Sequence, residues 1–174
     1  SVNPGAAEDQ DLVDNDCDGF VDEDFISTGD ILVNEIMMDP VAVSDTAGEW
    51  FELTNRSGGD LNLVNWVVYA DDGDAFTITS DLVVANNDYV VLGIDNDTAT
   101  NGGATVDYVY SRSDFSLANE SDSFFIDVDG SVIFEMSYTS TWDLEAGSSL
   151  SLDPSKRSAT NATLTDSWCA STRT

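Results

Sequence analysis

From Ile31 onward, short apolar runs alternate with turn-forming clusters at a spacing of roughly ten residues, the pattern of a β-sandwich or barrel. The expected strands are Ile31–Met37, Glu49–Asn55, Leu63–Tyr69, Phe76–Ile78, Tyr89–Ile94, Val106–Tyr110, Ser123–Val128, Val132–Tyr138 and Ser149–Leu152. Between them stand Asn55-Arg56-Ser57-Gly58-Gly59-Asp60, Asp71-Asp72-Gly73-Asp74 and Asn101-Gly102-Gly103, all turn chemistry. The clearest hairpin is Phe124–Tyr138, turning at Asp129-Gly130. On its second arm, strict alternation puts Val132, Phe134, Met136 and Tyr138 on one face and Ile133, Glu135 and Ser137 on the other. Tyr89–Ile94 is apolar on both faces and is expected to be a central strand. Trp50, Trp66, Trp142 and Trp168 read as core or core-edge residues, and no segment has a convincing amphipathic helical period.

The first 29 residues break this pattern: they are acidic, without a base, and their apolar residues are scattered. The chain therefore divides into an Asp-rich segment over residues 1–29 and a β domain over residues 30–174.

Composition narrows the function. With 34 acidic and 5 basic residues the net charge is −29, which disfavours nucleic acid and anionic membrane surfaces as partners. There is no histidine, so no Ser-His-Asp triad, Cys-His dyad or imidazole metal site can form. No apolar run approaches a membrane span. Yet 41% of residues are hydrophobic, enough for a core. Aspartates outnumber glutamates 26 to 8, a bias toward turns and hard-cation sites over helices. Cys17 and Cys169 stand near opposite ends; they are either isolated residues or one disulfide joining the segment to the C-terminal end, as suits an exported protein.

The most specific chemistry lies in Asp14-Asn15-Asp16-Cys17-Asp18-Gly19-Phe20-Val21-Asp22-Glu23-Asp24. Asp14, Asp16 and Asp18 match the first, third and fifth positions of a calcium loop, Gly19 the sharp turn, Phe20 the backbone-carbonyl ligand and Asp22 the ninth position. Alternate spacing lets these carboxylates converge on one hard cation, Ca2+. Phe25 stands where an EF-hand carries its bidentate glutamate, so Glu23 or Asp24 is the replacement in a tighter loop. The expected metal residues are thus Asp14, Asp16, Asp18, Phe20, Asp22 and Glu23.

Other acids carry less. Glu49 and Glu52 flank Trp50-Phe51 and point to opposite faces of a strand, so they cannot act together on one substrate. Asp39, Asp45 and Glu49 are irregularly spaced and read as solvated loop acids. Asp127-x-Asp129-Gly130 reads as the hairpin turn. Gly147-Ser148-Ser149 lacks a nucleophile elbow and a base. The chain is therefore not expected to be an enzyme.

Asn3-Pro4-Gly5-Ala6, Val13–Gly19 and Val21-Asp22-Glu23 resemble the MopE-type metal-binding repeat of bacterial surface proteins, and more loosely thrombospondin type 3 calcium repeats. That repeat carries an upstream Cys-Asp-Gly where this chain has Gln10-Asp11-Leu12, which leaves Cys17 for Cys169 or for another chain. Residues from about Asp30 to Thr172 resemble a bacterial lamin tail domain. The matching pieces are Ile31–Pro40, Gly48–Asn55, Leu61-Asn62-Leu63 before Trp66, Ser116–Asn119, Gly147–Leu150 and Ser167-Trp168-Cys169. This resemblance implies an immunoglobulin-like antiparallel β-sandwich without catalytic residues. Together the two imply a calcium-stabilised, extracellular or cell-surface interaction module of an exported bacterial protein, partnered by protein or by its own copies. The alternatives are a self-assembling subunit of a filament or surface layer, or an accessory domain of an exported hydrolase.

Overall fold

Strands form where the apolar alternation is strongest. The computed structural model describes residues 2–4, 6, 8, 13–17, 25–142 and 144–171. Among these, the strands in chain order are β1 (Ile31–Met37), β2 (Trp50–Asn55), β3 (Leu61–Asn62), β4 (Val67–Tyr69), β5 (Ala75–Thr77), β6 (Val83–Val84), β7 (Tyr89–Gly93), β8 (Tyr108–Val109), β9 (Asp122–Val128), β10 (Ser131–Tyr138), β11 (Leu150–Leu152) and β12 (Trp168–Ala170). Helix is confined to single turns, α1 (Asp45–Gly48), α2 (Ala159–Ala162) and two 3-10 turns. None is long and apolar enough to cross a membrane.

One sheet has six strands in the order β12-β11-β1-β2-β7-β8, and the other has four in the order β10-β9-β4-β5. β3 and β6 form a separate two-stranded ribbon. All pairings are antiparallel except β7–β8, which is parallel. This is the expected immunoglobulin-like sandwich. Its core lies between the inner faces of the two sheets: Val33, Phe51, Leu53 and Leu92 from one, Val68, Phe124, Ile126 and Met136 from the other, all nearly inaccessible. Phe51 sits among four rings, with centroids 4.7 Å from Phe124, 5.8 Å from Tyr110, 6.1 Å from Phe115 and 6.5 Å from Phe76. Burying each such side chain stabilises the fold by roughly 1.5–3 kcal/mol.

Two expectations change, at Val132 and at the cysteines. In β10 the register slips between Val132 and Phe134, so Ile133 is a bulge residue. The bulge turns Ile133 inward beside Phe134 and leaves Val132 42% exposed, breaking the strict alternation expected to set Val132 on one face with Phe134. Tyr89–Ile94 is an interior strand, as expected: β7 pairs on one side with β2 and on the other with two-residue β8. The central pair is β1–β2, whose register also slips, between Val33 and Glu35. Finally, Cys17 and Cys169 are not joined; both are exposed free thiols. The Cys169 side chain leaves edge strand β12 on the outer face, its Sγ 3.8 Å from the Ser151 carbonyl oxygen.

The hairpin turn is as expected. Asp129 and Gly130 have φ of 51° and 83°, the left-handed pair that suits the twist of a two-residue hairpin. Asp127 Oδ1 accepts the Gly130 N–H at 2.8 Å, so this carboxylate belongs to the turn.

Candidate functional site

Two of the expected metal residues, Asp14 and Asp16, come together, and Glu8 joins them. One carboxylate oxygen from each lies within 4.8 Å of the others. Asp18, Phe20, Asp22 and Glu23 lie outside the described residues. Glu8 is 5% exposed, and its Oε1 accepts the backbone N–H groups of Asn15 at 2.7 Å and Asp16 at 2.8 Å. Asn15 is also buried, and its side-chain amide donates to the Val13 carbonyl at 2.9 Å. Asp14 Oδ1 accepts the Cys17 N–H at 2.6 Å, closing a turn in which Cys17 takes a φ of 63°.

This donor set fits a hard cation. Calcium–oxygen distances of roughly 2.3–2.6 Å put ligand oxygens on opposite sides of one ion at most about 5 Å apart. All three groups are carboxylates, the choice of Ca2+ over a nitrogen- or sulfur-preferring metal. Glu8 was not legible as a ligand, because it stands outside the alternate spacing of the loop; its only signal was being the first glutamate of the segment.

Glu49 and Glu52 take separate environments, as strand alternation requires. Glu49 is not a solvated loop acid. Its side chain has no exposed surface, and Arg112 Nη2 lies 3.1 Å from its Oε1. The Leu117 N–H donates to its Oε2 at 3.1 Å. Burial pushes its carboxyl above the usual 4.5, against the pull of the Leu117 and Arg112 bonds, with Asp45 adding to the rise. Asp45 itself accepts from the Asn119 amide at 3.3 Å.

Glu52 faces outward from β2 into a groove of ≈ 700 Å³ across the six-stranded sheet, shared with Glu35, Met37, Trp50, Val91 and Ser149. Asn34, extruded by the β1 bulge, donates to Glu52 Oε1 at 2.6 Å. Ser149 Oγ donates to Glu35 Oε1. Burial is the main cause that raises the Glu52 carboxyl above 4.5; Asn34 opposes it, Glu35 adds to it, Arg157 opposes it and Asp107 adds to it. A second cleft of ≈ 480 Å³ adjoins the first, sharing Met37, Trp50 and Ala104, and is otherwise lined by Pro40, Val41 and their neighbours. No motif or spacing in the sequence marks this groove.

No curated protein matched the chain. The family model described as Lamin Tail Domain matches residues 26–140, which take in β1 to β10. The Gly147–Leu150 and Ser167–Cys169 pieces fall beyond the matched residues, yet they build β11 and β12 onto β1 in the same sheet. The lamin tail domain is a non-catalytic, immunoglobulin-like interaction domain, which suits a sandwich whose buried acids are occupied in holding loops. With most of its length matched and both sheets formed, the chain belongs to the lamin tail domain family.

Proposed function

We propose that the chain is a calcium-stabilised interaction module of an exported protein, acting outside the cell or on its surface. The observation that carries this reading is the meeting of Glu8, Asp14 and Asp16 within 4.8 Å. Three carboxylate oxygens this close, on a segment without lysine or arginine, make a donor set that suits a hard cation. The loop spacing and the likeness to the MopE-type repeat support Ca2+ as that cation, completed by Asp18, Phe20, Asp22 and Glu23. The bound loop would be a stiff acidic arm before the sandwich. Extracellular millimolar calcium suits a site of this kind.

Calorimetry decides it. Calcium titrated into the wild type should give a saturable heat, which Asp16→Ala should weaken. No binding heat at millimolar calcium, or an Asp16→Ala variant with unchanged affinity, would remove the site.

Self-association is supported by a separate observation: both thiols, Cys17 and Cys169, are exposed, and Cys169 stands on an edge strand. Size-exclusion chromatography without reductant, with and without calcium, separates the readings. Disulfide-linked or elongating species favour a polymer subunit, and a monomer in every condition favours the lone module.

A further inference from the structure

Glu35 and Glu52 are direct partners across β1 and β2, and both line the outer groove. Two like charges in such a position destabilise a sheet. A surface serving stability alone would set opposite charges there. Among the described residues the ion pairs are Glu49–Arg112 and Lys156–Asp166, so neither groove carboxylate has one. Their hydrogen bonds come from neutral donors, Ser149 to Glu35 Oε1 and Asn34 to Glu52 Oε1. The cation that Glu52 feels, Arg157, is engaged elsewhere: its Nη1 donates to the Tyr89 hydroxyl at 2.5 Å, and its guanidinium carbon lies 5.2 Å from the centre of that ring. Beside Glu52, Asn34 is 6% exposed, with an Oδ1 that accepts no hydrogen bond among the described residues. A buried unpaired acceptor is a cost the fold carries.

The groove around the two acids is mixed, with Ser149 and Ser151 beside Glu35 and Met37, Trp50 and Val91 on the other side. Met37 and Trp50 form the next cross-strand pair along the same face. The groove runs on at Met37 and Trp50 into the second cleft, where Val41 is 70% exposed. Aliphatic stems of basic side chains lie well on such surfaces, and a cation near Trp gains from the ring face.

We propose that this groove docks a basic, apolar-flanked peptide segment of a partner protein, with one cationic side chain seated between Glu35 and Glu52 and an apolar neighbour in the cleft at Val41. The seated cation replaces the missing ion pair, and chain charge favours it, since an overall −29 draws basic partners inward. This deepens the interaction-module reading and rests on it, but not on calcium.

The test uses the full chain in EDTA, so that it stands or falls apart from the calcium loop. The probe is a capped hexapeptide alternating leucine and arginine, followed by NMR at the Met37 methyl and the Trp50 indole. The expected result is saturable shifts at these two groups. Glu35→Gln and Glu52→Gln should each weaken binding about tenfold or more, with the fold retained because each removes a like-charge conflict. Glu135→Gln removes the same charge from the exposed face of β10 and should leave affinity unchanged. A peptide with citrulline in place of arginine should not bind. Equal weakening by Glu135→Gln, binding of the citrulline peptide, or shifts without saturation overturns the proposal. So does a groove that ignores the arginine peptide and saturates with cellohexaose.

Discussion

Glu49 and Arg112, far apart in the chain, form an ion pair of 3.1 Å in which the glutamate side chain is wholly buried and the arginine is 41% exposed. With the Leu117 N–H on its other oxygen, Glu49 ties the residue before β2 to the connection that leads into β9. A carboxylate buried with both oxygens occupied is an anchor for two loops and has no free oxygen to offer a reacting group.

Removing the arginine should therefore destabilise the fold. Arg112→Ala leaves Glu49 buried with one backbone donor, a loss of about 2–3 kcal/mol, at the low end for a broken buried pair because the guanidinium is partly hydrated. The double variant Arg112→Ala with Glu49→Gln should recover part of that loss. Urea unfolding measures both; a loss below about 0.5 kcal/mol for Arg112→Ala would mean that the pair is idle.

Acidification should first stabilise the protein. Burial raises Glu49, Glu52 and Asp122 above their usual values of 4.5, 4.5 and 3.8, so the native state binds protons more tightly than the unfolded chain. Their contribution is complete below those usual values and is lost as pH rises through the raised ones. Asp95 is held low by the Thr100 hydroxyl and Asp153 by the Ser155 N–H; their contribution disappears as pH falls through values below 3.8. In EDTA, the melting temperature should rise as pH falls from 7 through the raised values toward about 4.5, and fall again only below about 3.8. Glu52→Gln should flatten the first limb. A melting temperature that falls steadily from pH 7 contradicts this balance.

The aromatic centre should dominate core stability. Phe51 has no accessible surface and touches four rings, so Phe51→Ala should cost about 3–5 kcal/mol. Phe125 stacks on its cross-strand partner Tyr69, 4.8 Å away, on the outward face of β9. Phe125→Ala should cost about 1 kcal/mol. Denaturant midpoints of the two variants give the comparison; equal losses would show that the inner cluster is not the centre of the fold.

Alternation and turn chemistry made the sandwich legible: β1 has the bounds expected of it, and Asp129-Gly130 turns its hairpin as foreseen. The errors arise where one residue breaks a period. Ile133 lies in a bulge, and nothing local distinguishes a bulged isoleucine from a paired one. β3, β6 and β12 have two or three residues each, too few to display a period. The groove was hidden for another reason. Glu35 meets Glu52 because of the slip at Asn34, and pairing register is a property of two strands together. Glu8 was hidden because its role comes from folding back onto the Asn15 and Asp16 backbone, which no spacing rule for a single loop includes.

Glu8 also provides the sharpest test of the proposed calcium site. Its Oε1 holds two loop N–H groups, while a carboxylate oxygen of the same side chain lies within 4.8 Å of those of Asp14 and Asp16. The two roles separate by substitution. Glu8→Gln keeps an oxygen that can accept from Asn15 and Asp16 but removes the charge, so calcium affinity should fall roughly tenfold while the loop keeps its shape. Glu8→Ala removes both and should fall further, because the backbone donors of a buried turn lose their acceptor. Calorimetry gives the affinities, and amide shifts of Asn15 and Asp16 report the loop. If Glu8→Gln binds calcium as tightly as the wild type while Glu8→Ala does not, Glu8 holds the loop in shape and the ion is ligated by the aspartates alone.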